Sequence, residues 1–262
     1  MGTYNIQEFT SNECLNQLLF VNDLYVTSGK IKGHSVIHKF GHNLDIDSSF
    51  ETIWSFGGNY SFLESPTILK ISSSDTNDSS LDTGARTITI QGLNSEYNEV
   101  EELITLNGQT VVNTQNTYLR IHRMFVKTAG SSSYNEGIIY AGTGTVSSGV
   151  PSNVYSEIPA QYNQTMMAVY TVPCRKTAYM TFFYAQPDSQ ASYQVQMLTG
   201  RATDNGILRV RNELHAFQNQ AIFNYKPYLK LEEKTDIQLR AKTSTQNVEF
   251  AGGFSLILID ND

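Results

Sequence analysis

Short runs of isoleucine, valine, threonine, tyrosine and phenylalanine recur along the chain, separated by glycine, asparagine, serine or proline. Residues 86–90 alternate with period two and are followed by Gly92, a pattern typical of a half-buried strand. Roughly ten to fourteen strands at this spacing indicate β-sandwiches. The sequence therefore predicts an all-β protein with little helix, built from β-sandwich or jelly-roll-like domains. Later strands are expected at residues 166–172, 177–185, 192–198, 236–242 and 254–260.

Two short turn sequences predict hairpins. Asn107-Gly108 lies between the strand-like runs 103–106 and 109–112. Asn-Gly favours the type I′ turn that joins adjacent antiparallel strands, because both central residues need a positive φ. Residues 204–206 have the sequence Asp-Asn-Gly before another strand-like run, and they predict a second hairpin turn.

The chain is expected to divide into two domains. Residues 141–152 are rich in glycine and serine, which favours a flexible connection. This boundary gives an N-terminal β-sandwich at residues 26–140 and a C-terminal jelly-roll-like domain at residues 153–262. One large sandwich with elaborated loops is the alternative architecture.

One segment has a helical pattern. Leu15, Leu18 and Leu19 share a face if residues 12–22 are helical, although so short an apolar run does not separate helix from strand. Residues 1–25 are therefore predicted to be an arm or a short helix, and the three leucines are candidate interface residues.

Charge and cysteine content exclude several classes of protein. The net charge is −7, and residues 1–110 carry 5 Lys or Arg against 14 Asp or Glu. Nucleic-acid binding needs a basic surface, so no nucleic-acid partner is expected. Two cysteines in 262 residues make a disulfide framework improbable. Because no apolar run is long enough for a membrane span, and no signal peptide is visible, no membrane partner is expected.

Two clusters of potential metal ligands can be weighed by their spacing. His34, His38 and His42 recur every four residues, and flanking glycines favour a strand. Successive imidazoles on one strand face are about 13 Å apart, too far for one metal ion. The second cluster, Asp75, Asp78 and Asp82, has the oxygen ligands that Ca²⁺ prefers but lacks the EF-hand order, so a solvated loop is favoured. No metal or cofactor is predicted, although the sequence leaves an ion at either cluster open.

No sequence motif of a catalytic site is present. The chain lacks a Gly-x-Ser-x-Gly elbow, a phosphate-binding loop with its lysine, a dinucleotide-binding fingerprint and a His-Glu-x-x-His pair. We therefore expect no catalytic residues and a protein that is not an enzyme.

Aromatic and arginine residues provide the remaining candidates. Trp54, Tyr60 and Tyr97 could stack on a sugar, although such residues are more often a core tryptophan and corner tyrosines of a sandwich. Arg120 and His122 share one face of a predicted strand, and Arg123 lies on the other face. Both faces mix apolar and charged residues. Arginine and aromatic residues are enriched at interfaces, so these three residues are candidate interface residues.

Several motifs resemble a mostly uncharacterised family of structural proteins from tailed phages of marine bacteria, including cyanophages. The likeness extends over most of residues 30–262. The motifs that carry it are residues 39–47 (KFGHNLDID), 52–54 (TIW), 57–60 (GGNY), 83–87 (TGART), 92–97 (GLNSEY), 106–108 (LNG), 119–123 (LRIHR), 164–173 (QTMMAVYTVP), 176–179 (KTAY), 233–237 (EKTDI) and 258–261 (LIDN).

This resemblance implies a non-enzymatic virion protein, made in the host cytoplasm. The expected role is a head decoration, cement or spike protein that binds the capsid surface through other virion proteins such as the major capsid protein. A homo-oligomer is expected, with a trimer as the first guess. The alternative is a receptor- or carbohydrate-binding protein at the tail or a vertex, with a host-surface glycan as partner. A polysaccharide-degrading enzyme is the third possibility.

Overall fold

Nearly every regular element of the chain is an antiparallel strand. The structure is a computed structural model that describes residues 24–201, 206–245 and 247–261. Within these ranges helix is limited to residues 24–27, and no helix is long and apolar enough to cross a membrane. The all-β prediction is confirmed. The strands are β1 (His34–Ile46), β2 (Glu51–Thr52), β3 (Thr67–Ser73), β4 (Ala85–Leu93), β5 (Glu99–Thr105), β6 (Val112–Tyr118), β7 (Arg120–Ala129), β8 (Ile139–Ser147), β9 (Val150–Ile158), β10 (Val169–Thr171), β11 (Lys176–Pro187), β12 (Ser192–Arg201), β13 (Arg209–Phe217), β14 (Ala221–Leu231), β15 (Thr235–Thr243) and β16 (Val248–Asp260).

The first and last strands of the chain belong to one jelly roll. Its two sheets have the strand orders β1-β16-β11-β14 and β10-β15-β12-β13, and β2 pairs with the same strand as β10, namely β15. Phe183 and Leu256 from one sheet and Val195 and Leu239 from the other belong to a common buried core. Eight strands in two four-stranded layers with this interleaved order make a jelly roll.

A second sandwich is inserted between β2 and β10. Its sheets have the orders β6-β3-β8-β9 and β5-β4-β7. Ile71 and Ala141 from the first sheet pack with Ile88 and Met124 from the second in a separate buried core. Each sandwich therefore buries its own apolar side chains, as an independent β-domain must.

The predicted domain boundary was wrong. Strand β1, assigned to an N-terminal domain at residues 26–140, pairs with β16 from His34↔Ile259 onward. Residues 141–152, predicted to be a connection, lie in the β8–β9 hairpin. Glycines occur there because β9 passes close by: a Cβ on Gly142 would lie 2.3 Å from the carbonyl oxygen of Asn153. The glycine content thus reflects tight packing and does not mark a flexible linker.

The hairpin predicted at Asn107-Gly108 was also wrong. Strand β5 before it pairs with β4, whereas β6 after it pairs with β3 in the opposite sheet. The turn carries the chain from one sheet to the other. Gly108 has a φ of 57°, and a Cβ there would lie 2.8 Å from the carbonyl oxygen of Thr76. The glycine is required by this close approach as well as by the turn.

Some predicted features lie outside the described residues. They are most of the N-terminal arm, including Leu15, Leu18 and Leu19, and Asp204 and Asn205 of the second predicted turn.

Asp78 holds in place the loop that contains Asp75, Asp78 and Asp82. Asp78 is fully buried, and its carboxylate accepts hydrogen bonds from the Ser73 hydroxyl at 2.6 Å and the Ala85 amide at 2.8 Å. The backbone amides of Glu136 and Gly137 donate to the same carboxylate at 2.9 Å each. The solvated-loop interpretation is therefore wrong for Asp78, which ties three segments of the inserted sandwich together.

We expect Asp78→Ala to lower the free energy of unfolding by about 3 kcal/mol or more, because the buried Ser73 hydroxyl and three backbone amides, two of them buried, lose their acceptor. Chemical denaturation of the variant measures this loss. Asp82→Ala is the matched control, since the Asp82 side chain is exposed and, among the described residues, accepts a hydrogen bond only from Ser79. Equal stability of the two variants would contradict the organising role of Asp78.

Candidate functional site

A buried ion pair joins the two sandwiches. Arg120 begins β7 of the inserted sandwich, and Asp236 lies on β15 of the jelly roll; the residues are 7% and 2% exposed. The Arg120 Nε donates to Asp236 Oδ1 at 2.8 Å, and Nη2 donates to Oδ2 at 2.9 Å. Nη1 donates to the carbonyl oxygens of Leu63 and Leu119, and the Thr171 hydroxyl donates to Asp236 Oδ1 at 2.6 Å. Both charged groups are thus extensively hydrogen bonded.

Aromatic rings enclose the guanidinium. The Cζ of Arg120 lies 4.8 Å from the ring centre of Phe62 and 5.7 Å from that of Tyr97. Burial opposes the charge on Arg120, but the hydrogen bonds and the charge of Asp236 outweigh it and raise the pKa of the guanidinium. Removing one partner of such a pair costs about 3–5 kcal/mol, because the other charge remains buried without compensation.

The candidate interface strand therefore lies at an interface within the chain. Arg120 and His122 are buried between the sandwiches, whereas the Arg123 side chain is exposed and donates to Gln164 Oε1 at 2.8 Å. A role for these three residues in contacts between copies of the chain stays a prediction.

The three candidate sugar-stacking residues are core residues. Trp54, Tyr60 and Tyr97 are 3%, 7% and 9% exposed. The Trp54 and Tyr60 rings meet edge to face at 5.0 Å, and Trp54 Nε1 donates to the carbonyl oxygen of Gly58 at 3.2 Å. A sugar-stacking platform needs an exposed ring face, so the arrangement corrects the stacking prediction and supports the core interpretation.

The connections between the sandwiches run side by side. The amide of Ala168 donates to the carbonyl oxygen of Ile53 at 2.9 Å, and the amide of Ser55 donates to that of Met166 at 3.0 Å. Strand β1 crosses these two connecting segments at Gly41. A Cβ on Gly41 would lie 2.0 Å from the carbonyl oxygen of Ile53. The inserted sandwich is therefore attached by two paired segments.

A cleft of about 660 Å³ lies beside this junction. Strand β1 of the jelly roll forms one wall, and β4, β5 and β7 of the inserted sandwich form the other. Tyr170 of β10 and residues 164–165 also line it. Ligand sites occur preferentially in clefts of this size at domain interfaces, which makes this cleft the candidate site.

Lys39 of β1 faces this cleft. Its Nζ donates a hydrogen bond to the carbonyl oxygen of His122 across the junction. Burial, together with the positive charge of Arg123, lowers the pKa of Lys39 to about 7. The amine is therefore partly neutral at physiological pH, unlike an ordinary surface lysine.

His122 lies behind Lys39, and its ring is 4.2 Å from that of Tyr170. Burial, together with the charge of Lys39, lowers the pKa of His122 to about 3, so the imidazole is neutral near pH 7. His122 Nε2 and Tyr170 Oη are buried and find no hydrogen-bond partner in the part of the chain that the structure describes. Unpaired buried polar atoms are costly, and they often mark functional sites.

Two glutamates of β5 line the cleft on the same wall as Arg123. Glu99 pairs with Lys176 at 3.2 Å, and Glu101 accepts a hydrogen bond from Gln91 Nε2 at 2.6 Å. The cleft thus contains both cationic groups and carboxylates, with Gln91 of β4 between Arg123 and Glu101 in the sheet.

The potential metal ligands do not converge. His38 Nδ1 lies 2.7 Å from Ser255 Oγ, His42 Nε2 lies 3.5 Å from Glu249 Oε2, and His34 Nδ1 lies 3.0 Å from the carbonyl oxygen of Lys32. Among the described residues no group of three or more His, Cys, Asp or Glu side chains could hold a metal ion.

Sequence reasoning missed Lys39, Tyr170 and Asp236. A signal existed for two of them, because Lys39 lies in the strand-like run 36–40 and Asp236 in the strand-like run 235–241. A charged residue inside such a run is expected to be paired or functional when the strand is buried.

No family model matches the chain, and no curated protein matches it. Among solved structures, the chain is similar to one in "Structure of infectious bursal disease virus Gt strain", at 10% identity and a TM-score of 0.19. That likeness covers 88% of this chain and 77% of the other. At this TM-score we base no conclusion about fold or function on it.

The lowered pKa of Lys39 predicts a pH-dependent stability. Between about pH 7 and pH 10 the unfolded chain binds more protons at Lys39 than the native chain, so the free energy of unfolding rises with pH in that window. We expect a rise of about 1–2 kcal/mol from pH 7 to pH 9.5, since solvent screens part of the side chain. Lys39→Met should remove this rise, as measured by denaturant titrations across the window.

Lys127→Met provides the control, because Lys127 is exposed on the neighbouring strand β7. It should keep the pH dependence of the wild type. An unchanged slope in Lys39→Met would show that the Lys39 amine is not desolvated at the junction.

Proposed function

We propose that the chain is a non-enzymatic structural protein of a tailed-phage virion, most simply a head decoration, cement or spike protein. The observation that carries the proposal is a jelly roll with a second sandwich inserted in it, held by a buried ion pair. Jelly rolls recur in viral capsid proteins, although lectins and cupins also use them. The resemblance of residues 30–262 to virion proteins of marine phages favours the first of these uses.

The geometry of the junction suits a protein that projects from a surface. Two paired connecting segments and the bidentate Arg120–Asp236 pair restrain the inserted sandwich relative to the jelly roll. A restrained two-part body can bind a shell with one part and present the other to solvent. Contact with the major capsid protein and assembly as a homo-oligomer, with a trimer as the first expectation, belong to this proposal.

The charged groups of the junction support a structural role. Asp236, the most buried carboxylate there, is engaged by Arg120 and by Thr171. A carboxylate held in this way is not free to act as a general base or a nucleophile.

A receptor- or carbohydrate-binding protein at the tail or a vertex is the second candidate. The cleft favours it, because Lys39, His122 and Tyr170 bring polar groups into a space large enough for a small ligand.

The abundance of the chain in purified particles tests the proposal. Quantitative mass spectrometry should find the chain at a copy number comparable to that of the major capsid protein, since a decoration or cement protein covers the shell. A copy number typical of a single vertex or of the tail would favour the second candidate. Absence from purified particles would contradict both.

A further inference from the structure

We propose that the cleft between the two sandwiches binds a small hydroxylated carboxylate, the chemistry of a uronic acid, between Lys39 of β1 and Arg123 of β7. The inference concerns a ligand of this chain and does not depend on its place in a particle.

Two cationic side chains approach the cleft from different sandwiches. Lys39 donates to the carbonyl oxygen of His122, and Arg123 donates to Gln164 Oε1 and lies over the Phe125 ring at 4.9 Å. Among the described residues, neither cation has a carboxylate within ion-pair distance. An anion between them would relieve their mutual repulsion, and a guanidinium binds a carboxylate through two parallel hydrogen bonds.

Two glutamates on the same wall as Arg123 limit the charge of the ligand. Glu99 and Glu101 line the same cleft, so a multiply charged anion would meet carboxylates there. A ligand with a single carboxylate can place that group near Lys39 and Arg123 and its uncharged part near Glu99 and Glu101. The volume of about 660 Å³ is ample for a monosaccharide.

The floor of the cleft favours hydroxyl groups on the ligand. Tyr170 is 2% exposed and His122 is 9% exposed, and Tyr170 Oη and His122 Nε2 have no partner among the described residues. A phenol donates and accepts, whereas an unprotonated imidazole nitrogen accepts. Both atoms are buried beneath the surface of the cleft, so a ligand hydroxyl serves them once a side chain of the lining shifts on binding. A single hydroxyl can accept from the phenol and donate to the imidazole nitrogen, whereas an acetate ion cannot donate.

Binding is coupled to protonation of Lys39. The other charged or titratable groups that line the cleft with Lys39 are Arg123 and His122 on β7, Glu99 and Glu101 on β5, His38 on β1 and Tyr170 on β10. A bound anion favours the protonated amine, so binding takes up a proton near neutral pH and weakens as the pH rises. Arginine keeps its charge throughout this range, so Lys39→Arg separates the charge of the amine from its titration.

Isothermal titration calorimetry with sodium D-glucuronate at about pH 6 and about pH 9 tests the site. D-glucose is the uncharged analogue, and inorganic phosphate is the anion without an organic part. We expect glucuronate to bind at least about tenfold more tightly at the lower pH, and to bind more tightly than glucose or phosphate. Lys39→Met should abolish binding, Arg123→Gln should weaken it at least about tenfold, and Lys39→Arg should bind with little pH dependence.

Lys127→Met should bind as the wild type does, and circular dichroism should show that each variant is folded. Three results would overturn the proposal: no glucuronate binding by the wild type at the lower pH, equal binding by folded Lys39→Met, or binding of glucose as tight as that of glucuronate. Pronounced pH dependence that persists in Lys39→Arg would assign the coupled proton to another group and would also overturn it.

Discussion

The buried pair of Arg120 and Asp236 is the interaction on which the arrangement of the two sandwiches depends. Each sandwich has its own apolar core, so neither needs the other to bury its apolar side chains. Between them, the charged pair is flanked by two small apolar clusters, one around Trp54 and Met167 and one around Leu93 and Leu119. A buried charge without a partner is strongly unfavourable in such surroundings. The two charges are compensated only when β7 and β15 meet in one register. The ion pair therefore specifies how the sandwiches dock, while the cores supply most of the stability.

Close backbone contacts complete the junction. Gly41 lets β1 pass directly over the paired connections at Ile53 and Ala168. Nearby, burial raises the pKa of Glu157 although the Ser55 hydroxyl donates to its carboxylate. The junction thus concentrates titratable groups with shifted pKa values, a pattern that also occurs at functional sites. The cleft with Lys39 opens beside this same polar region, which links the architecture to the proposed ligand site.

Local sequence patterns predicted the strands well, because alternation reports burial of one strand face. The predicted run at residues 86–90 lies within β4, and the all-β class follows from such runs. Which strands pair with each other was not predictable from the sequence. Strand β1 pairs with β16, about two hundred residues away along the chain, and no local pattern indicates that partner. For the same reason, the glycines at residues 141–152 suggested a flexible connection. They are needed because a neighbouring strand packs closely there, which the local sequence does not reveal. The sequence marked Arg120 and His122 as candidate interface residues, and both lie buried between the two sandwiches, while a contact with another copy of the chain stays a prediction. Lys39 and Asp236 were visible only as charged residues within strand-like runs, and their partners are given by the tertiary structure.

Differential scanning calorimetry of the wild type and Arg120→Met tests most directly whether the ion pair holds the two sandwiches as one unit. We expect one cooperative transition in the wild type, and a loss of about 3–5 kcal/mol with separated transitions in Arg120→Met. Arg86→Met should change little, because within the described part of the chain the Arg86 guanidinium bonds only to the carbonyl oxygen of Asp82. Two transitions in the wild type that Arg120→Met leaves unchanged would contradict the central role of the pair.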